Sequence, residues 1–98
     1  MDDKYILDGE KAVPEPDLLK WATWYQTADR RVANNKIGEV RVSTVFLAVD
    51  HSFGEGPPQL FETLVFDGPL SDEMDRYATW AEAVAGHAKM VERVRAAE

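Results

Sequence analysis

Val40-Arg41-Val42-Ser43-Thr44-Val45-Phe46-Leu47-Ala48-Val49-Asp50 and Leu60-Phe61-Glu62-Thr63-Leu64-Val65-Phe66 are the two stretches that decide the fold. Both are dense in β-branched and aromatic residues, which fit a pleated, packed surface and crowd a helix. Alternation in the second puts Leu60, Glu62, Leu64 and Phe66 on one face and Phe61, Thr63 and Val65 on the other. In the first, Val45 to Val49 are apolar on both faces. That marks a central strand, covered on one side by helix and on the other by something else, such as a partner subunit. Between the two, His51 to Gln59 carries Gly54, Gly56, Pro57 and Pro58 and excludes a regular element.

Working outward, Arg31 to Lys36 fits either a strand or an extension of the preceding helix. Asn34-Asn35, poor helix formers, and the turn pair Gly38-Glu39 favour a strand hairpinned to Val40. The helix before it opens at Pro16-Asp17, a proline suited to a first position and an acid suited to the positive end of the dipole. Leu18, Trp21, Ala22, Tyr25 and Ala28 give it an apolar face, Leu19 widens that face, and Trp24 lies off its centre. It fades between Ala28 and Val32. Tyr5-Ile6-Leu7 reads as a short strand closed by Asp8-Gly9, and the two prolines within Glu10 to Pro16 read as an extended connector.

Downstream, Asp67-Gly68-Pro69 ends the second strong strand and Arg76-Tyr77-Ala78 suits a short edge strand. Thr79 and Glu82 have the spacing of a capping box at the start of a last helix, with Trp80, Val84, Ala88, Val91 and Val94 or Arg95 recurring at helical spacing. The expected architecture is α+β: one antiparallel sheet of four to five strands with two amphipathic helices packed on one face.

The chain has 98 residues, enough for one core, so residues 1–98 form a single domain. A hydrophobic fraction of 45% with 30% charged residues is globular in proportion. Eleven Lys+Arg against eighteen Asp+Glu give a net charge of −7, which disfavours direct nucleic-acid binding. The absence of cysteine excludes disulfides, thiolate metal sites and a Cys nucleophile. No apolar run suits a membrane span and Met1 to Tyr5 lacks the layout of a signal peptide, so the expected location is the cytoplasm.

The most site-like stretch is the loop after the first strong strand. It offers Asp50, His51, Phe53 and Glu55 among flexible glycines, and loops on a rigid scaffold are where binding groups gather. A base at His51 oriented by Asp50 or Glu55 is conceivable, but adjacent strand residues point to opposite faces. Gly54-Glu55-Gly56 is no phosphate loop, because no helix start follows and Pro57-Pro58 remove two donors. His51 and His87 form no recognised ligand spacing, so neither metal nor cofactor is expected, and no catalytic residue is assigned. Trp24, Arg30 and Arg31 are the other candidates, combining an off-centre aromatic with cations.

Five groups of residues carry a resemblance. They are Pro14-Glu15-Pro16-Asp17-Leu18-Leu19; Val42-Ser43-Thr44-Val45-Phe46-Leu47 with Asp50-His51; Gly56-Pro57-Pro58; Leu60-Phe61-Glu62-Thr63; and Arg76-Tyr77 with Thr79-Trp80 and Gly86-His87. In order and spacing, from Tyr5 to Val94, they resemble a group of small uncharacterised proteins of tailed bacteriophages and prophages. The resemblance implies a setting, the host cytoplasm, and no catalytic residues. The leading expectation is an accessory protein that acts by binding, against a host factor such as a defence protein. The alternative is a binder of a small anionic ligand or nucleotide signal, working as a homo-oligomer. Catalysis through His51 ranks last. A homodimer is expected, because two helices cover only one side of the sheet.

Overall fold

A computed structural model describes residues 3–52 and 56–97. Its elements are β1 (Tyr5–Asp8), β2 (Lys11–Pro14), α1 (Leu18–Thr27), β3 (Arg31–Ile37), β4 (Val40–Phe46), β5 (Phe61–Phe66), β6 (Met74–Tyr77) and α2 (Trp80–Ala97). The main sheet is antiparallel in the order β3-β4-β5-β6, and β1 and β2 form a separate two-stranded sheet. Arg31 to Ile37 is therefore strand, turned into β4 at Gly38-Glu39.

The connector expected at Glu10 to Pro16 is instead half of a hairpin. β2 pairs with β1 from Tyr5↔Pro14 to Asp8↔Lys11. Pro14 is compatible because it ends an edge strand, where its missing N–H breaks no inner ladder. Gly9, at φ +63°, supplies the left-handed turn residue.

Alternation in β4 buries Val40, Val42, Thr44 and Phe46, and in β5 it buries Phe61, Thr63 and Val65. α2 lies over this inner face, with Met90 and Val94 packed on Val40, Val42 and Val65. The second half of the core gathers Phe46, Ala48, Leu60, Phe61 and Ala83, with Trp21, Trp24, Tyr25 and Trp80 against it. Phe46 and Phe61 lie 5.2 Å apart; Trp24 meets Phe46 edge-on at 5.8 Å and Trp80 meets Phe61 edge-on at 6.2 Å. Trp24 thus packs on Phe46 while staying partly exposed. Leu18 and Leu19, expected on the apolar face of α1, are exposed.

Asp17 caps α1, its carboxylate accepting from the amides of Leu19 (3.0 Å) and Lys20 (3.2 Å). The Trp21 indole N–H is shared between the carbonyls of Tyr5 (3.2 Å) and Ala48 (3.1 Å), which ties α1 to β1 and to the chain leaving β4. Ala48 sits at φ +66°, an unusual value for a residue with a side chain. There β4 has ended at Phe46, and Val49 joins only an isolated bridge to Lys4.

Trp80, Val91 and Val94 of the expected α2 stripe pack on the core, but its middle is displaced by one position. Ala83, His87, Met90 and Val94 are buried, whereas Val84 is 47% exposed and Ala88 is also exposed. The cause is His87, whose polar ring is matched inside the core. Its Nε2–H donates to Asn35 Oδ1 at 2.7 Å, and its Nδ1 accepts from the Thr44 hydroxyl at 2.7 Å. Thr44 in turn is hydrogen-bonded to Thr63. The expected Thr79 cap is present, the Glu82 amide donating to Thr79 Oγ1, but the Glu82 carboxylate accepts from that hydroxyl rather than from the Thr79 amide, both at 3.1 Å, so the reciprocal half of the capping box is replaced.

Two outcomes follow from the α2 contact. A Cβ on Gly86 collides with the Tyr77 ring. Helix propensity alone favours Gly86→Ala by about 1 kcal/mol, but overpacking of this kind costs about 1–3 kcal/mol. Gly86→Ala should therefore lower the urea midpoint, and a raised midpoint would show that the ring yields freely. Burial pushes the His87 imidazole below its ordinary value of 6.5. The unfolded chain then binds the proton more readily, so stability is complete above about pH 6.5 and declines as the pH falls below it toward the lower folded value. Urea melts from pH 7.5 down to 5 should show this decline, and His87→Gln should flatten it.

Candidate functional site

α2 and the aromatic group cover the inner face of β4 and β5, and the outer face of the main sheet carries neither helix among the described residues. Pairing registers place its side chains in three rows across the strands. One row runs Lys36, Arg41, Phe66; the next Asn34, Ser43, Leu64, Met74; the third Arg31, Val45, Glu62, Arg76. The centre is apolar. Phe66 is 36% exposed and Met74 45%, with Leu64 and Val45 half-buried beside them. The frame is cationic. The Arg41 guanidinium lies 4.4 Å over the Phe66 ring, and Arg76 Nε is 3.0 Å from a Glu62 carboxylate oxygen.

The charge of this face opposes that of the chain. Its rows hold four cations and one carboxylate, a net +3, which leaves −10 on the remainder of a chain whose total is −7. Lys36 and Arg41 also stand directly opposite one another across β3 and β4. Like charges in that position destabilise an isolated sheet. Their proximity is eased when an anion approaches both.

The sequence candidates are scattered by the fold. Arg31 alone among those described belongs to the outer face, where it is paired with Asp29 at 3.2 Å. Arg30 donates to the Phe46 carbonyl at 3.1 Å and stacks 4.3 Å from the Tyr25 ring, which fastens the link between α1 and β3 to the end of β4. Trp24 packs on Phe46. His51 Nδ1–H donates to the Val49 carbonyl at 3.1 Å. Asp50 does not orient it. One carboxylate oxygen of Asp50 accepts from the Ser52 amide at 2.8 Å and the Gln59 amide at 2.9 Å, pinning both ends of the loop. Those amides, Ser52 first, hold the Asp50 carboxyl below the usual carboxylate range. Phe53 and Glu55 lie outside the described residues.

Sequence reasoning missed Lys36, Arg41, Leu64, Phe66, Met74 and Arg76 as site residues. The signal was the same alternation that located the strands, carried across the Gly38-Glu39 turn. Away from the outer face, an open groove of about 650 Å³ lies between the β1–β2 hairpin and the start of α2, with Tyr5, Leu60 and Trp80 in its walls and Asp8, Glu10 and Lys11 at its polar parts. Among the described residues, no group of three or more His, Cys, Asp or Glu side chains could hold a metal ion, and no helix is long and apolar enough to cross a membrane. No family model, curated protein or solved structure matches the chain.

The double acceptor role of Asp50 has a direct readout. Asp50→Ala should speed hydrogen exchange at the Ser52 and Gln59 amides while leaving the β4–β5 ladder protected. Unchanged exchange at both amides would mean that the loop base is held by other contacts.

Proposed function

We propose that the chain is a binding protein whose working surface is the outer face of the main sheet. The partner is a protein surface with acidic groups set around apolar side chains. The observation that carries this reading is the segregation of charge, +3 on that face against −10 elsewhere. An apolar centre with an arginine-bearing frame is also the usual anatomy of a protein interface.

The reading takes both helices as covers of the inner face, which leaves the outer face bare. It takes the setting from the resemblance to small phage and prophage proteins. A host protein, of the defence apparatus or another system, is then the partner, met in the host cytoplasm. Binding rather than catalysis is the mode of action. Single-stranded nucleic acid is the lesser candidate, since one aromatic ring, already covered by Arg41, is a poor stacking platform.

The small-ligand reading has the 650 Å³ groove behind it, a volume suited to a small molecule. An anionic ligand is a poor match there, because two carboxylates and one lysine supply the charge, and Arg30, Arg31 and His51 are not in its walls.

The test uses the tagged protein produced in a bacterial host and recovered at low salt, with nuclease added. A retained protein should depend on the outer face. Arg41→Glu should weaken retention by about tenfold or more, equivalent to about 1.4 kcal/mol, and raised salt should do the same. Glu92→Lys, an exposed change on α2, should leave it unaltered. Equal retention by wild type and Arg41→Glu would overturn the proposal, as would retention abolished by nuclease.

A further inference from the structure

We propose that in the free protein the outer sheet face is occupied by a second copy of the chain, through its Glu15-Pro16-Asp17-Leu18-Leu19 segment, so that copies join head to tail. The inference rests on the reading of the outer face as a docking surface and adds the identity of one occupant.

The segment is the chemical complement of the face. Leu18 is 59% exposed and Leu19 79%, the two most exposed large apolar side chains among the described residues. A single exposed leucine is ordinary, but here two adjacent ones follow two carboxylates. Neither Glu15 nor Asp17 has an ion-pair partner among the described residues. The segment therefore presents apolar groups beside negative charge, and the sheet face presents apolar groups beside positive charge. Lys20 follows Leu19 and reduces the negative charge without cancelling it.

The segment is also held in shape before any contact. A Glu15 carboxylate oxygen accepts from the Asp17 amide at 3.2 Å, and Asp17 caps the helix through Leu19 and Lys20. Little ordering entropy remains to be lost on docking. Beside the leucines, Leu19, Lys20, Thr23 and Trp24 border a shallow, open depression, against which a protruding side chain such as Met74 of the next copy can rest.

Charge also selects the geometry. Two copies meeting outer face to outer face across a two-fold axis would set +3 against +3. Segment to face sets unlike charges together. Such a contact uses different patches on the two copies, so it propagates as a short chain or closes as a ring. The segment is short, so the interface belongs to the small class, under about 1,200 Å², where association is weak and salt-sensitive. It also uses the surface assigned to the partner, so self-association and partner binding exclude one another.

Sedimentation equilibrium at low salt, from about 10 μM to about 300 μM, reads the proposal, a range matched to weak interfaces. The wild type should gain mass with concentration and lose the gain in 0.5 M salt. Leu19→Lys, which spoils the segment, and Met74→Glu, which spoils the face, should each remain monomeric. Both positions are exposed, so circular dichroism should stay native. An equimolar mixture should form a dimer and nothing larger, because one intact segment then meets one intact face. A monomeric wild type at about 300 μM, or association unaffected by Leu19→Lys, would overturn the proposal. Host-protein retention that survives Leu19→Lys and is lost with Arg41→Glu would leave the binding function standing on its own.

Discussion

The hydrogen-bonded chain Thr63–Thr44–His87–Asn35 sets the terms for the rest of the molecule. It links the three strands β5, β4 and β3 to the middle of α2 inside the core. Its proton order is fixed by chemistry. The Asn35 carbonyl oxygen needs a donor, so the ring proton sits on His87 Nε2; Nδ1 is then an acceptor and takes the Thr44 proton, and Thr44 takes the proton of Thr63. Only a neutral imidazole satisfies this order. The Thr44 hydroxyl is matched on both sides, by His87 and by Thr63, and a helix slid or rotated by one residue would break that match in a place where unmatched polar groups are costly. The chain thus fixes not only that α2 covers the sheet but which side of α2 does so.

From that commitment the two faces of the sheet diverge. The inner face is filled by Met90 and Val94 on one half and by the Phe46–Phe61 aromatic group on the other, to which α1 contributes Trp24 and the β1–β2 hairpin contributes Tyr5 and Leu7. Among the described residues, the inner-face side chains of β4 and β5 are all buried. The outer face has the opposite character. Phe66 and Met74 are exposed on it, and two of its cations, Lys36 and Arg41, stand directly opposite one another, while Arg31 and Arg76 are each ion-paired. A chain that places four of its eleven Lys and Arg residues on one sheet face, while its other surfaces are strongly acidic, has an electrostatic direction. Such a field orients an approaching partner before contact and weakens with ionic strength.

The strands were legible because alternation and β-branching are local properties. Val42, Thr44 and Phe46, and likewise Phe61, Thr63 and Val65, take the sides that a period of two assigns. β2 was hidden because Lys11-Ala12-Val13 is short and bracketed by turn and proline signals, and its strand state depends on β1 lying alongside. The middle of the α2 stripe was shifted because the hydropathy of His87 says nothing about Thr44 and Asn35, which lie 43 and 52 residues away in sequence. The outer face was hidden by averaging: a net charge of −7 describes the whole chain and conceals a local +3. Asp50 and His51 drew notice because adjacent polar groups in a loop look like chemistry, whereas the carboxylate is engaged by amides, a partner type the sequence does not display.

The same averaging bears on how an acidic protein of this size finds partners. Net charge describes the chain as a whole, while the charge of one face acts at contact distance. With a Debye length of about 8 Å in physiological salt, a partner senses the local face rather than the total. The exposed Leu18–Leu19 pair then has a natural counterpart within the chain's own chemistry. On the proposed docking, a weak self-contact would shield the apolar centre of the outer face in the free state, and a stronger acidic partner would displace it by mass action without any change of fold.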